Sequence, residues 1–324
     1  MSSYYSNIAS YIESFLTYRE ALFYSNSVYR PMLASLDKLC YETFPDEISL
    51  TQEMVLMWMK KRPREGSGGL QVRSSIIRRF GTYMAGIGAK AYILPLKYTG
   101  GNSSFTPYIF SDAELSALFS AIDLTTPTRT YPFANLMLPV LFRLIYTCGL
   151  RPNEGRELLR KNVFLDTGEM LLTATKGDKE RVVVMSEDMR NLCRCYDGKR
   201  SLFAMDNPYF FPGKNTDPMS EVWLQNRFRA CWYAANPAID PKKLPSVRVY
   251  DLRHRFASQS LQRWLDCGAD LNAKLPYLRA YMGHSTLSQT AYYIHLLPSN
   301  LLNSAAIDWT VLSSMIPEVD IWQQ

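Results

Sequence analysis

A stretch that takes no helical periodicity, "ILPLKYTGGNSSFTPY" from residue 93, divides the chain. Its Pro, Gly, Asn and Ser residues break regular elements, which is how a linker reads. We place the linker at 93–107, between a helical domain at 1–92 and a second domain at 108–324. Each side is long enough to bury its own core. With 47% hydrophobic and 20% charged residues, the chain is globular and not disordered.

The first domain reads as helices joined by short polar breaks. In "NSVYRPMLASLDKLCYETF", Val28, Met32, Leu36 and Leu39 share one face, and Ser25 or Asn26 can serve as N-cap. "SLTQEMVLMWMKK" predicts another helix, capped by Ser49 or Thr51. A basic turn follows, carrying Lys60, Lys61 and Arg62, then Pro63 and a flexible Gly/Ser stretch. "LQVRSSIIRRFGTYMAGIG" turns Ile76, Phe80, Tyr83 and Met84 inward, which leaves Arg73, Arg78 and Arg79 largely off the apolar stripe. Such a basic face is either merely solvated or a contact for a polyanion.

The second domain opens at "FSDAEL", where Ser111 and Glu114 have capping-box spacing. An apolar helix, "FANLMLPVLFRLIYTCG", stops at Gly149. "NVFLD", "MLLTAT" and "RVVVM" are β-rich, and the last two flank the tight tip "KGDKE". Further helices are expected over 219–235, 254–266 and from 270 onward. The expected fold class is mainly α with a small antiparallel β-sheet.

Several function classes drop out. No apolar run reaches the roughly 18 residues of a membrane span. The N-terminus lacks the basic and apolar regions of a signal peptide, so the chain reads as cytoplasmic with no membrane partner. Six scattered cysteines without a C-x-x-C pair suggest buried, reduced thiols and no zinc site. The net charge of +6 suits a polyanionic partner. Residues 1–105 carry 12 Lys/Arg against 8 Asp/Glu, whereas after His295 the charged residues are Asp308, Glu318 and Asp320 alone. The two ends must meet different partners.

All three histidines fall between His254 and His295, close to the adjacent pair Tyr292 and Tyr293. Singly, each candidate has a plain structural reading. Arg151 after "CGL" can cap a helix, Arg253 can pair with a carboxylate, His284 can sit at a helix terminus, Tyr293 can be core, and Lys176 at a hairpin tip can be solvated. Their arrangement is more specific. "TCGLRPNEGRELL" resembles the tyrosine recombinase box T-G-L-R-x-x-E, with Cys148 beside the glycine. "TKGDKERVVVM" resembles that family's hairpin K-G-x-K-x-R-x-V-P, with Val184 in place of proline. "DLRHRFAS" is similar to L-R-H-T-F-A-T, and "YMGHSTLSQTAYYIH" to L-G-H-x-x-x-x-x-T-x-x-Y-x-H. The four boxes stand in family order across residues 147–295.

The resemblance implies a two-domain C-shaped clamp, with a SAM-like core-binding domain followed by a tyrosine recombinase catalytic domain. The nucleophile of the last box lies nine residues after its histidine, which selects Tyr293 and leaves Tyr292 to packing; Thr290 and His295 fall on the other box positions. Arg151 and Arg253 would hold the phosphate, Lys176 would protonate the leaving 5′-oxygen, His284 would bond the phosphate, and Glu154 would frame Arg151. Tyr250 occupies the position where the family usually has His or Lys. A phenol there can donate a hydrogen bond, but is a poor proton acceptor at pH 7. No cofactor and no metal is implied.

Double-stranded DNA with paired inverted-repeat sites is the expected partner, gripped by Lys60, Lys61, Arg62, Arg73, Arg78 and Arg79. The apolar, non-basic tail at 296–324 suits a protein groove, and the resemblance implies its exchange between protomers of a homo-tetramer and a nucleoid-associated place in the cytoplasm. A non-catalytic DNA-binding protein would have lost Arg151, Arg253 or Tyr293. A type IB topoisomerase shares the chemistry, but such a tail fits it poorly. A metal hydrolase fits least, because ten residues between His284 and His295 put no ligand pair on one helix face.

Overall fold

The computed structural model describes residues 4–63, 65–99, 107–173, 180–204 and 206–296. They fall into two compact units that part between residues 104 and 105.

The first unit packs four helices, α1 (Ala9–Ala21), α2 (Tyr29–Thr43), α3 (Gln52–Trp58) and α4 (Ser67–Gly86). Thr51 caps α3 as expected, its hydroxyl accepting from Met54 N at 3.3 Å. The expected face of α2 is turned by about one residue. Tyr29, Leu33, Leu36 and Cys40 are buried, while Val28 is 50% exposed. Asp37 explains the rotation. Its carboxylate faces inward and accepts from Ser6 N, Ser6 Oγ and Tyr5 N, tying the segment before α1 to α2. Asn26 does not cap α2 but accepts from buried Arg19 and donates to Leu16 O.

A second correction concerns Arg73, expected on a basic surface. It is completely buried and donates to Glu65 Oε1 and Oε2 at 2.8 and 2.6 Å, to Lys60 O at 3.1 Å and to Trp58 O. Arg73 is therefore a staple between the basic turn and α4. Its partner Glu65 also accepts from Arg62 N. That ordering explains why Ser67, Gly68 and Gly69, expected to be flexible, form the first turn of α4. Arg78, half-buried, is committed to the carbonyls of Leu94 and Pro95, whereas Arg79 donates one N–H to the Tyr29 hydroxyl and stays exposed. Lys60 and Lys61 are exposed.

The second unit centres on α6 (Ala134–Thr147), an apolar helix that contacts α5 (Asp112–Asp123), α7 (Pro152–Arg156), α8 (Glu187–Arg200) and α10 (Val249–Asp266). Ser111 and Glu114 close the expected capping box on α5. A three-stranded antiparallel sheet of β1 (Val163–Phe164), β2 (Glu169–Leu172) and β3 (Arg181–Val184) lies beside it. Pairing Val163 with Met170 and Met170 with Val183 puts these three side chains into the core. Completing the unit are α9 (Glu221–Ala235), α11 (Leu271–Met282), α12 (Leu287–Ala291) and a 3-10 turn at Tyr292–Leu296. The mainly helical fold with a small antiparallel sheet is thus as the sequence indicates. Two cysteines depart from expectation: Cys195 and Cys267 are exposed, the other four buried. Among the described residues, no helix is long and apolar enough to cross a membrane.

The burial of Arg73 makes a prediction. Arg73→Met strands Glu65 and two backbone carbonyls, and removing one partner of a buried pair typically costs about 3–5 kcal/mol. Hydrogen exchange at the α4 amides should report a loss of about that size. A loss below ~1 kcal/mol would return Arg73 to the surface-charge class.

Candidate active site

Local sequence brings the first arginine into place. Gly149 ends α6 in the left-handed conformation at φ +60°, where a Cβ would collide with the Phe256 ring. Pro152 then opens α7 with Arg151 at its N-cap. Glu154, three residues on, accepts from Arg151 N at 2.8 Å and from Arg151 Nη1 at 2.6 Å. Arg181 on β3 approaches the same carboxylate as a fork, at 2.9 and 2.7 Å. Burial alone would raise the Glu154 pKa, but the hydrogen bonds and charge of Arg181, together with Arg151, pull it down to about 2.

A second turn receives both candidate phosphate ligands. Gly283 ends α11 at φ +65°, with its Cα close under the Arg181 guanidinium, where a Cβ would come within 2.9 Å of Nη1. Arg151 Nη2 donates to Gly283 O at 2.7 Å, and Arg253 Nη2, from α10, to Met282 O at 2.6 Å. Arg253 Nη1 reaches back to Gly149 O at 2.5 Å. Arg253 is wholly buried, which lowers its pKa, and its Nε has no hydrogen-bond partner among the described residues. A buried donor left unpaired costs about 1–3 kcal/mol, and an anionic oxygen is the partner that would recover it.

Arg253 Nη2 also lies 3.0 Å from His284 Nε2. Guanidinium can only donate, so Nε2 is the acceptor and the ring proton sits on Nδ1, which donates to Thr290 Oγ1 at 2.8 Å. His284 is therefore neutral. Burial, then Arg253, Arg151 and Arg181, push its pKa down to about 3.

Tyr293 is 3% exposed in the cluster built by α10, α11 and the 3-10 turn. Its ring lies parallel to that of His284 at 6.0 Å and tilted to that of His254 at 5.5 Å. Burial pushes its pKa up to about 12, against the opposing pull of the Arg253 charge. Tyr292, expected to be the packing residue of the pair, is the less buried one.

The second unit thus brings together Arg151, Glu154, Arg253, His284 and Tyr293. Tyr250 joins them through His254, with ring centroids 5.0 Å apart. Lys176 lies outside the described residues, as do the His295 side chain and the tail beyond residue 296. Lys60, Lys61, Arg62, Arg73, Arg78 and Arg79 belong to the first unit. Sequence reasoning passed over two participants. Arg181 stands at the R of the hairpin box and His254 at the H of L-R-H-T-F-A-T, so both signals were present although neither residue was given a role.

Comparison with known proteins gives this arrangement a context. The phage integrase family model matches residues 110–300. A Sinorhizobium fredii protein named as an integrase/recombinase, y4rE, is 32% identical over 225 residues, 68% of this chain and 71% of that one. The tyrosine recombinase XerD of Rhizobium meliloti is 31% identical over 170 residues, 52% of this chain and 50% of its own length. Among solved structures, the XerH site-specific recombinase bound to palindromic difH substrate aligns with a TM-score of 0.63 at 19% identity, covering 86% of this chain and 78% of that chain. The Tn1549 transposon integrase in complex with transposon right end DNA gives 0.62 at 13%, covering 97% and 99%. At such identities the two structures speak to the fold alone.

The titrations set a pH dependence. Unfolded histidines bind protons below about pH 6.5, which His254 and His284 refuse until about 4 and about 3. Unfolded Glu154 likewise binds a proton below 4.5 that the native carboxylate refuses until about 2. The unfolded state holds more protons across this whole window, so stability falls as pH drops from about 6.5. Thermal melts from pH 7 to pH 3 should show a declining Tm. Glu154→Gln should flatten the decline below pH 4.5, where the wild-type carboxylate accounts for ~3 kcal/mol.

Proposed function

This chain belongs to the phage integrase family and is a tyrosine-type site-specific recombinase, and on that premise we propose that Tyr293 attacks a DNA phosphodiester and holds the cut strand as a 3′-phosphotyrosyl intermediate. The observation that carries the reading is the convergence of Arg151, Arg253 and His284 on one turn beside Tyr293, with Arg253 Nε still lacking an acceptor.

The chemistry exchanges one phosphodiester for another, so no external energy source is required. Arg151 and Arg253 hold the nonbridging oxygens and stabilise the charge of the pentavalent transition state. With the phosphate taking the Arg253 donors, His284 Nε2 is released, and the neutral tautomer that carries its proton on Nε2, with Thr290 Oγ1 donating to Nδ1, donates to the phosphate. Tyr250 supplies a further hydrogen-bond donor. Lys176 gives its proton to the leaving 5′-oxygen.

The substrate is double-stranded DNA carrying paired inverted-repeat sites. Lys60, Lys61, Arg62 and Arg79 supply backbone contacts in the first unit, with Arg73 reassigned to its structural staple and Arg78 to its carbonyl contacts. Four protomers assemble on two sites by giving the tail at 296–324 to a neighbour, a heterologous contact that closes a ring.

Nicked, labelled site DNA should trap a covalent adduct with the wild-type protein and none with Tyr293→Phe. An adduct that persists in Tyr293→Phe and disappears in Tyr292→Phe moves the nucleophile by one residue. Arg253→Ala should slow cleavage about 10²–10³-fold, the cost of losing one oxyanion donor. For the assembly, truncation after Ser299 should spare cleavage of an isolated site and abolish four-protomer complexes in light scattering. Full recombination by the truncated protein would make the tail a local cover.

A further inference from the structure

The attacking phenol has to lose a proton, and the structure limits where it can go. Tyr293 is buried in a pocket whose rings are those of His284, His254 and Tyr292. His284 has both ring nitrogens engaged, Nε2 by Arg253 and Nδ1 by Thr290. Tyr250, at the register position where the family usually carries a base, brings a phenol hydroxyl and no imidazole or amine lone pair. His254 remains. It sits one helical turn after Tyr250 on α10, so the two rings share a face and lie 5.0 Å apart. Its other side meets the Tyr293 ring at 5.5 Å. Its Nδ1 is buried with no hydrogen-bond partner among the described residues, and the residue is 9% exposed.

We propose that His254 is the proton acceptor for Tyr293, reached directly or through one water. This rests on Tyr293 being the nucleophile. Burial, then Arg248 and Arg253, keep the imidazole neutral in the DNA-free protein, which leaves a lone pair available. A phosphodiester seated on Arg253 offsets that cation and makes the imidazole more basic as the attack begins. As the Tyr293 oxygen bonds phosphorus, its proton passes to His254, and the 5′-oxygen leaves with a proton from the general acid. In the return step a 5′-hydroxyl gives its proton back to the general acid as it attacks the phosphotyrosine, and the His254 imidazolium gives its proton to the departing phenolate. Each group ends in its starting state, so one residue serves both strand cleavage and rejoining.

The test separates proton acceptance from packing. His254→Gln should slow single-turnover cleavage of nicked site DNA by roughly 100-fold, the lower end for a general base. The same variant carrying 2,3,5-trifluorotyrosine at position 293, a phenol far more acidic than tyrosine, should recover to within ~10-fold of wild type, because its proton leaves with less help from an acceptor. Thermal melting and DNA affinity establish that the variants fold. Should His254→Gln not fold, His254→Asn replaces it in the same comparison. Unchanged cleavage, or a loss that the acidic phenol does not restore, overturns the proposal. Absence of any adduct in the wild-type protein instead overturns the nucleophile assignment.

Discussion

The candidate site depends on one buried carboxylate. Glu154 receives Arg151 from its own helix start and Arg181 from β3, and lies 4.0 Å from Arg253 on α10. Removing a carboxylate from water costs several kcal/mol, offset only by close charged partners. Three guanidinium groups against one carboxylate leave a surplus of positive charge, with the Arg253 side chain wholly buried, that of Arg181 10% exposed and that of Arg151 22% exposed. Arg181 extends the frame by donating to Tyr281 O, which ties the sheet to the end of α11. Glu154 thus does more than frame Arg151: it lets like charges stand close together in readiness for an anion.

That surplus shapes the neighbouring groups. It holds His284 unprotonated and, through Thr290, in one tautomer. It opposes but does not overcome the burial that keeps Tyr293 a neutral phenol. In the absence of DNA the Tyr293 phenol is protonated and buried. The ingredients for reaction are in place, but the charge that would rebalance them belongs to the ligand.

Much of this was legible in the sequence where the signal is local. Capping at Thr51 and Ser111, the stop at Gly149 and the β-hairpin depend on residues a few positions apart. Spacing within the last box chose Tyr293 over Tyr292, although burial ranks the two oppositely to expectation. What could not be read depends on distant partners. The rotation of α2 follows from Asp37 meeting Ser6, and the burial of Arg73 from Glu65 and two carbonyls of the preceding turn. An arginine pattern states where charge lies along a helix, but not whether another part of the chain already needs it. His254 was given no role for a related reason, since its ring meets Tyr250 on α10 and Tyr293 in the 3-10 turn, well apart in sequence.

The turn at Met282–His284 has a consequence for how the protein is made. Three successive residues there fix both arginines, one of them 132 positions earlier in the chain. During synthesis from the N-terminus, neither guanidinium can be set in its final place until this late turn has left the ribosome and folded. A nascent chain whose first unit has already folded therefore has no assembled strand-cutting centre. The long-range closure makes this site one of the last parts of the chain that can be assembled.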